Sequence, residues 1–313
     1  KKQRTALQKD LFNPPDAASY ARSLDPAVRS ISKAAPKFDR LSSMTTLAAM
    51  DMFCSVMLGF LPKCTAGEVG DEKCDPEDRA FVQQATAAME YIGVFNRDPA
   101  ARQNPENHKD YPAFCKAMDD VYELSSKRMG KMGVGSRIND VAPYMERMME
   151  RDELGKDSAT QAIQLLLFAG VDTTHHVLQW SLLNLALHPE VQQKLYEEAV
   201  SVLGKDGVLD VEHLTQLPYL TMFLRENHRT TPPFSGAVMR RLEEDVDVCG
   251  YLLPKLTKFM MVSDPIQNDP KIVDNPTEFR PERWSDEEVA KRKGTPQQIM
   301  DHQLLAKPFG YGA

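Results

Sequence analysis

The apolar pattern of the chain is dominated by one stretch, Ser158 to Leu187, which is hydrophobic on most faces. Thirty helical residues would span roughly 45 Å, enough to cross a whole domain. Asp157 and Ser158 offer capping side chains at its start, and Pro189 fixes its end. Gly170, Asp172, Thr173 and Thr174 interrupt it near the middle. That position makes a membrane span a poor reading, because charge is most costly at the centre of a bilayer. The pattern predicts a buried helix carrying a polar notch.

Shorter helices are predicted on either side. Residues 1–11 read as the tail of a basic helix, and Asn13-Pro14-Pro15-Asp16 turns the chain into another, ending near Ser32. Over Leu41–Leu61, Met44, Leu47, Met50, Phe53, Met57 and Phe60 recur near helical spacing, and the methionines read as core filler. Thr65–Asp78 reads as acidic loop. Glu77–Phe95, Ala113–Met132, a segment within Arg137–Glu150, Glu190–Leu203, a short turn from Val211 and Tyr219–Arg229 complete the helices. From Thr230 onward prolines break the chain into strands and meander, with Val246–Tyr251 and Lys258–Val262 as strand candidates. The expected fold class is mainly α with a small β subdomain: one domain over 1–313, helical over 1–229 and β- and meander-rich over 230–313.

Composition narrows the function. A net charge of −7 over 313 residues argues against a general nucleic-acid binder. Five widely spaced cysteines give neither a disulfide framework nor a zinc pattern, although Cys64 and Cys74 flank one polar loop and can pair in principle. A reduced intracellular protein is expected.

The notch carries the first candidate chemistry. A carboxylate buried in mid-helix is costly unless something uses it. A neighbouring threonine can bond back to the preceding turn and loosen the ladder. Asp172 and Thr173 would then form an acid–hydroxyl pair able to pass protons to a group resting on the helix. A solvent-facing turn of an ordinary core helix accounts for the same residues equally well. His175 and His176 point about 100° apart, too divergent for a shared metal, and read as packing residues. Trp180 reads as core.

Three later blocks complete the pattern. Glu226-Asn227-His228-Arg229 puts a carboxylate and a guanidinium at i and i+3, with His228 as spacer; Phe279-Arg280-Pro281-Glu282-Arg283-Trp284 is basic and aromatic; Pro308-Phe309-Gly310-Tyr311-Gly312 opens a glycine-rich loop. In this order they resemble the cytochrome P450 family of haem-thiolate monooxygenases. Ala169-Gly170-Val171-Asp172-Thr173-Thr174 is similar to the family's oxygen-activating motif, Glu226 and Arg229 to its ExxR pair, Arg283 to the third member of its buried triad, and Phe309, Gly310 and Gly312 to the start of its haem loop. The resemblance implies catalytic roles for Asp172, Thr173 and Thr174, with Asp172 and Thr173 delivering protons for O–O cleavage. It implies contacts to haem b from Ala169 and Gly170 and from the loop, and propionate pairing by Arg240 and by Arg4, which matches the arginine of the WxxxR helix.

Against the family pattern, the sequence reaches Ala313 three positions before the iron-ligating cysteine, and no cysteine of the chain lies in a comparable loop. The expectation is a cytochrome P450 fold truncated at both ends, inactive as a fragment, with any membrane anchor in the missing N-terminal part. Residues 1–12, the helix ending in Arg229, the Arg-Pro-Glu-Arg-Trp block and Pro308-Phe309-Gly310 are similar to the animal mitochondrial clan. That likeness implies a lipophilic, steroid- or sterol-like substrate, O2, electrons from NADPH through a ferredoxin-type donor docking near Arg225, and the mitochondrial inner membrane. Thr221 stands where a second basic docking residue is usual, which keeps cytochrome P450 reductase and the endoplasmic reticulum as alternatives. A catalytically dead, regulatory relative and a peroxide-rearranging relative are the rival functions.

Overall fold

A computed structural model describes residues 19–130, 137–150, 155–233, 237–262, 264–302 and 305. The helices are α1 (Ala21–Ala34), α2 (Leu41–Met57), α3 (Cys64–Glu68), α4 (Pro76–Arg97), α5 (Pro99–Gln103), α6 (Tyr111–Gly130), α7 (Tyr144–Glu150), α8 (Lys156–Leu187), α9 (Pro189–Leu203), α10 (Pro218–Thr230), α11 (Asp264–Gln267) and α12 (Asp286–Lys291). Four short strands, β1 (Ala237–Arg241), β2 (Val246–Val248), β3 (Tyr251–Leu253) and β4 (Lys258–Val262), form two antiparallel pairs, β1 with β4 and β2 with β3. The predicted mainly α class with a small β part is what the structure shows.

Two compact units divide the chain, one of residues 1–175 and 203–216, the other of residues 176–202 and 217–313. The change of texture at Thr230 therefore falls inside the second unit. Helix α8 contributes residues to both.

The core of the first unit follows helical spacing. Met50, Phe53 and Met57 of α2 meet Phe81, Val82 and Ala85 of α4, Val121 of α6, and Tyr144, Met145 and Met148 of α7. Ile163, Leu167 and Val171, four apart on α8, complete the same cluster. The methionines of α2 are buried filler, as their spacing predicts.

One polar side chain sits in this core and folds a neighbouring segment onto it. Asp51 is fully buried, and its two oxygens accept the Cys64 and Thr65 amides at 2.9 Å each. Those amides open α3, so Asp51 caps a helix that begins thirteen residues later. The acidic-loop reading of Thr65–Asp78 missed α3 because the cap is remote in sequence. Burial pushes the Asp51 carboxyl above its ordinary range, and the two amides draw it back.

The second unit contains the hairpin. Val246–Tyr251 is not one strand: Cys249 and Gly250 have φ of 54° and 85°, which makes them a two-residue turn between β2 and β3. Positive φ at both central positions suits a primed turn and glycine at the second. The apolar cluster here is small, formed by Val273, Trp284 and Met300 with Met222 and Ile272 against it. Trp180, expected in the core, is 41% exposed, as Leu182 is. The apolar composition of this part of α8 exceeds what the described residues cover, so hydropathy alone overstated its burial.

The Asp51 cap sets a test of the first unit. Asp51→Ala leaves two buried amides without an acceptor and is expected to cost about 3 kcal/mol, since a hydrogen bond to a charged group contributes roughly 1.5–3 kcal/mol. Asp51→Asn retains one acceptor and should lose about half as much. Urea midpoints followed by circular dichroism read both, and wild-type midpoints would remove Asp51 from the fold.

Candidate active site

Each unit carries its own set of the residues singled out from the sequence. In the first unit, α8 runs as unbroken α-helix through Gly170–Thr174, so the notch interrupts the apolar pattern and not the backbone. Its core side is Ile163, Leu167 and Val171. On the opposite side of the helix, Leu165 (65% exposed), Ala169 and Asp172 are exposed and Thr173 is half-buried.

The expectation of a buried Asp172 is thus corrected. One position after the core-facing Val171, helical rotation carries its carboxylate out of the core and no desolvation penalty arises. The back-bond of Thr173 is present: its hydroxyl donates to the Ala169 carbonyl at 2.8 Å. With that proton engaged, the Thr173 oxygen keeps its lone pairs as acceptor capacity.

Gly170 lies on the packing side. A β-carbon there would approach the Phe53 ring of α2 at 3.5 Å, an ordinary contact. His175 also belongs to packing, with Nδ1 2.7 Å from the Thr45 hydroxyl and 3.3 Å from that of Thr46.

In the second unit, ExxR and the arginine block meet in one buried network. Glu226, Arg229 and Arg283 are each at most 2% exposed. Arg229 grips Glu226 with two bonds, Nε to Oε2 at 3.0 Å and Nη2 to Oε1 at 2.8 Å. Arg283 Nε donates to Oε1 at 3.3 Å, the Arg280 amide to the same oxygen at 3.0 Å, and the Trp284 indole to Oε2 at 2.8 Å. The three residues that the family resemblance groups as a buried triad meet here, and Trp284 and the Arg280 amide bond to the same carboxylate.

Two guanidiniums and one carboxylate leave a surplus positive charge that backbone carbonyls absorb. Arg229 donates to the carbonyls of Gln267, Pro276 and Glu278, and Arg283 to those of Asp274, Asn275 and Glu278. Burial draws the Arg283 guanidinium below its ordinary value, and Glu226 opposes the shift.

Helix α10, which carries Glu226 and Arg229, is fixed at its start by Glu198 of α9. Its carboxylate accepts the Tyr219 and Leu220 amides at 2.6 and 2.9 Å. Pro218 at the first turn has no amide to satisfy. The helix is pinned to α8 by a buried amide pair, Asn184 Nδ2 donating to Asn227 Oδ1 at 2.8 Å.

Arg225 is not a plain surface cation. Its guanidinium stacks over Trp284 at 4.2 Å and lies 3.7 Å from Asp301, which also takes two bonds from Arg292. His228, read as a spacer, lines a crevice with Ile266, Gln267 and Val273, and burial lowers its pKa. Arg240 is exposed on β1, opposite Phe259 of β4. Arg4, Phe309, Gly310 and Gly312 lie outside the described residues.

The residues present fit a haem in part. The outward strip of α8 offers apolar surface at Leu165 and Ala169 beside the oxygens of Asp172 and Thr173, suited to a flat macrocycle carrying a polar ligand. The five cysteines do not supply the iron ligand: Cys54, Cys64 and Cys74 are buried in the first unit, Cys115 is on α6, and Cys249 is in the hairpin turn.

Removing the centre of the triad tests the network. Glu226→Gln leaves two guanidiniums buried without their carboxylate, and breaking such a pair costs about 3–5 kcal/mol. The expected outcome is a lowered urea midpoint and faster proteolysis within residues 264–284; an unchanged midpoint would show that the carbonyls alone suffice.

Comparison with known proteins places the chain. The sequence profile of the family Cytochrome P450 matches residues 1–313. Human mitochondrial sterol 26-hydroxylase is 32% identical over 174 residues, 55% of this chain and 31% of that protein. Drosophila melanogaster "probable cytochrome P450 12d1 distal, mitochondrial" is 36% identical over 212 residues, covering 64% and 39%. Cytochrome P450 76A1 of Solanum melongena is 32% identical over 268 residues, covering 76% and 53%. The chain thus spans about a third to a half of the curated relatives it matches. The crystal structure of the cytochrome P450DA heme domain superposes with a TM-score of 0.70 at 18% identity, over 98% of this chain and 64% of that one, and shows the shared fold. With a profile match along its whole length and the Glu226–Arg229–Arg283 triad assembled, the chain belongs to the cytochrome P450 family.

Proposed function

We propose that the protein is a haem-dependent monooxygenase that inserts one atom of O2 into a lipophilic, steroid- or sterol-like substrate. The observation that carries the reading is the open side of α8, where exposed Asp172 adjoins Thr173, whose hydroxyl is bonded back to Ala169, beside the apolar Leu165 and Ala169. Haem, when bound, supplies the oxidising chemistry, and a thiolate ligand favours O–O cleavage.

This chain's part is positional. Asp172 is open to solvent, and Thr173 offers an acceptor oxygen and, on rotation of its hydroxyl, a proton to the group beside it. Leu165 and Ala169 keep the neighbouring surface apolar, and the triad holds α10 and the segment around 264–284 in place.

Mitochondrial relatives support a ferredoxin-type electron donor and a mitochondrial location, with NADPH as the ultimate reductant. Among the described residues no helix is long and apolar enough to cross a membrane.

The reduced carbon-monoxide difference spectrum of the full-length protein tests the reading. A red-shifted Soret band marking thiolate ligation is expected; haem bound without it would favour a regulatory role. In the same protein, Thr173→Ala should let NADPH oxidation continue while product per NADPH falls roughly tenfold or more, since positioned proton transfer is worth roughly 10²–10⁴ in rate. Unchanged coupling would remove Thr173 from the proton route.

A further inference from the structure

Away from the candidate site, two sulfurs meet in the core of the first unit. Cys64 Sγ and Cys74 Sγ are 3.4 Å apart, ten residues apart in sequence, and both are unoxidised thiols. The approach is built in. Cys64 is the first residue of α3, and its own amide is held by Asp51. Cys74 directly precedes Asp75, whose side chain caps α4 by accepting the Glu77 amide at 2.8 Å.

Gly67 makes room between them. A β-carbon at that position would come within 2.9 Å of the Cys74 β-carbon, closer than real contacts allow. The missing side chain lets Cys74 lie against the first turn of α3. From 3.4 Å, a small rotation of either side chain reaches the roughly 2.0 Å of a disulfide.

We infer that Cys64 and Cys74 form a reversible oxidative modification site, closing to a disulfide on reaction with a peroxide. One thiolate attacks a peroxide oxygen, breaking the O–O bond and giving a sulfenic acid and water. The second sulfur then displaces water from that sulfenic acid, forming the S–S bond. Two thiols and one hydrogen peroxide become one disulfide and two waters, and a dithiol reductant reverses the change. Burial and the Asp51 carboxyl keep the Cys64 thiol protonated well past neutrality. At 7% and 8% exposure the pair is reached by a small peroxide and not by a bulky disulfide. The product ties α3 to the start of α4.

Peptide mapping of the full-length protein tests this directly. The reduced protein is treated with hydrogen peroxide, its remaining thiols are blocked with N-ethylmaleimide, and it is digested without reductant. The expected result is a linked pair of peptides carrying Cys64 and Cys74, two hydrogens lighter than the separate peptides and released by dithiothreitol. The thermal midpoint should rise by roughly 5 °C, as closing a short loop implies. Cys249→Ser, at an exposed turn, should leave the link intact. Separate blocked peptides for both residues, sulfinic acid at either without a link, or a link from either to the neighbouring Cys54 would overturn the inference.

Discussion

A segment that cannot satisfy its own backbone has to be held by something else. Pro265, Pro270, Pro276 and Pro281 deny residues 264–284 any long helix or strand, so carbonyls along it have no ladder partners. Arg229 and Arg283 take five of those carbonyls, that of Glu278 twice, and Glu226 between them balances one of the two charges. Apolar burial is minor here: the described cluster of this unit has three buried members, against twenty-two in the first unit. The two units therefore rely on different forces. One is packed by aliphatic and aromatic side chains at helical spacing, and the other is tied by charge-assisted bonds that tolerate no missing member.

That difference explains what could be read from sequence. Helices α2, α4 and α6 were legible because Met50, Phe53, Phe81 and Val121 recur at a period that the backbone enforces locally. The triad was legible because ExxR spacing places two members on one helix face, and family resemblance supplied Arg283. The caps were not. Asp51 reaches α3 across thirteen residues and Glu198 reaches α10 across about twenty, and no periodicity links a carboxylate to distant amides. The hairpin was misread because valine and tyrosine propensity masked the paired positive φ values at Cys249 and Gly250.

The notch was half legible. Residue type and order identified Asp172 and Thr173, and the back-bond to Ala169 followed from threonine chemistry. The burial of Asp172 did not follow, because hydropathy averages over a helix while exposure depends on angle. Trp180 failed for the same reason. Arg225 shows the converse: a basic residue at a docking position turns out to be stacked on Trp284, whose indole bonds to Glu226. A charge brought to that surface would act two contacts away from the buried carboxylate.

The arginine grip on carbonyls has an implication for how this part of the chain varies. Asp274, Asn275 and Glu278 have exposed side chains, yet their carbonyls are the ones the buried guanidiniums hold. Recognition reads the path of the main chain and ignores what projects from it. Side chains along this stretch can therefore change while the trace is kept, because the two arginines hold main-chain atoms that every residue carries.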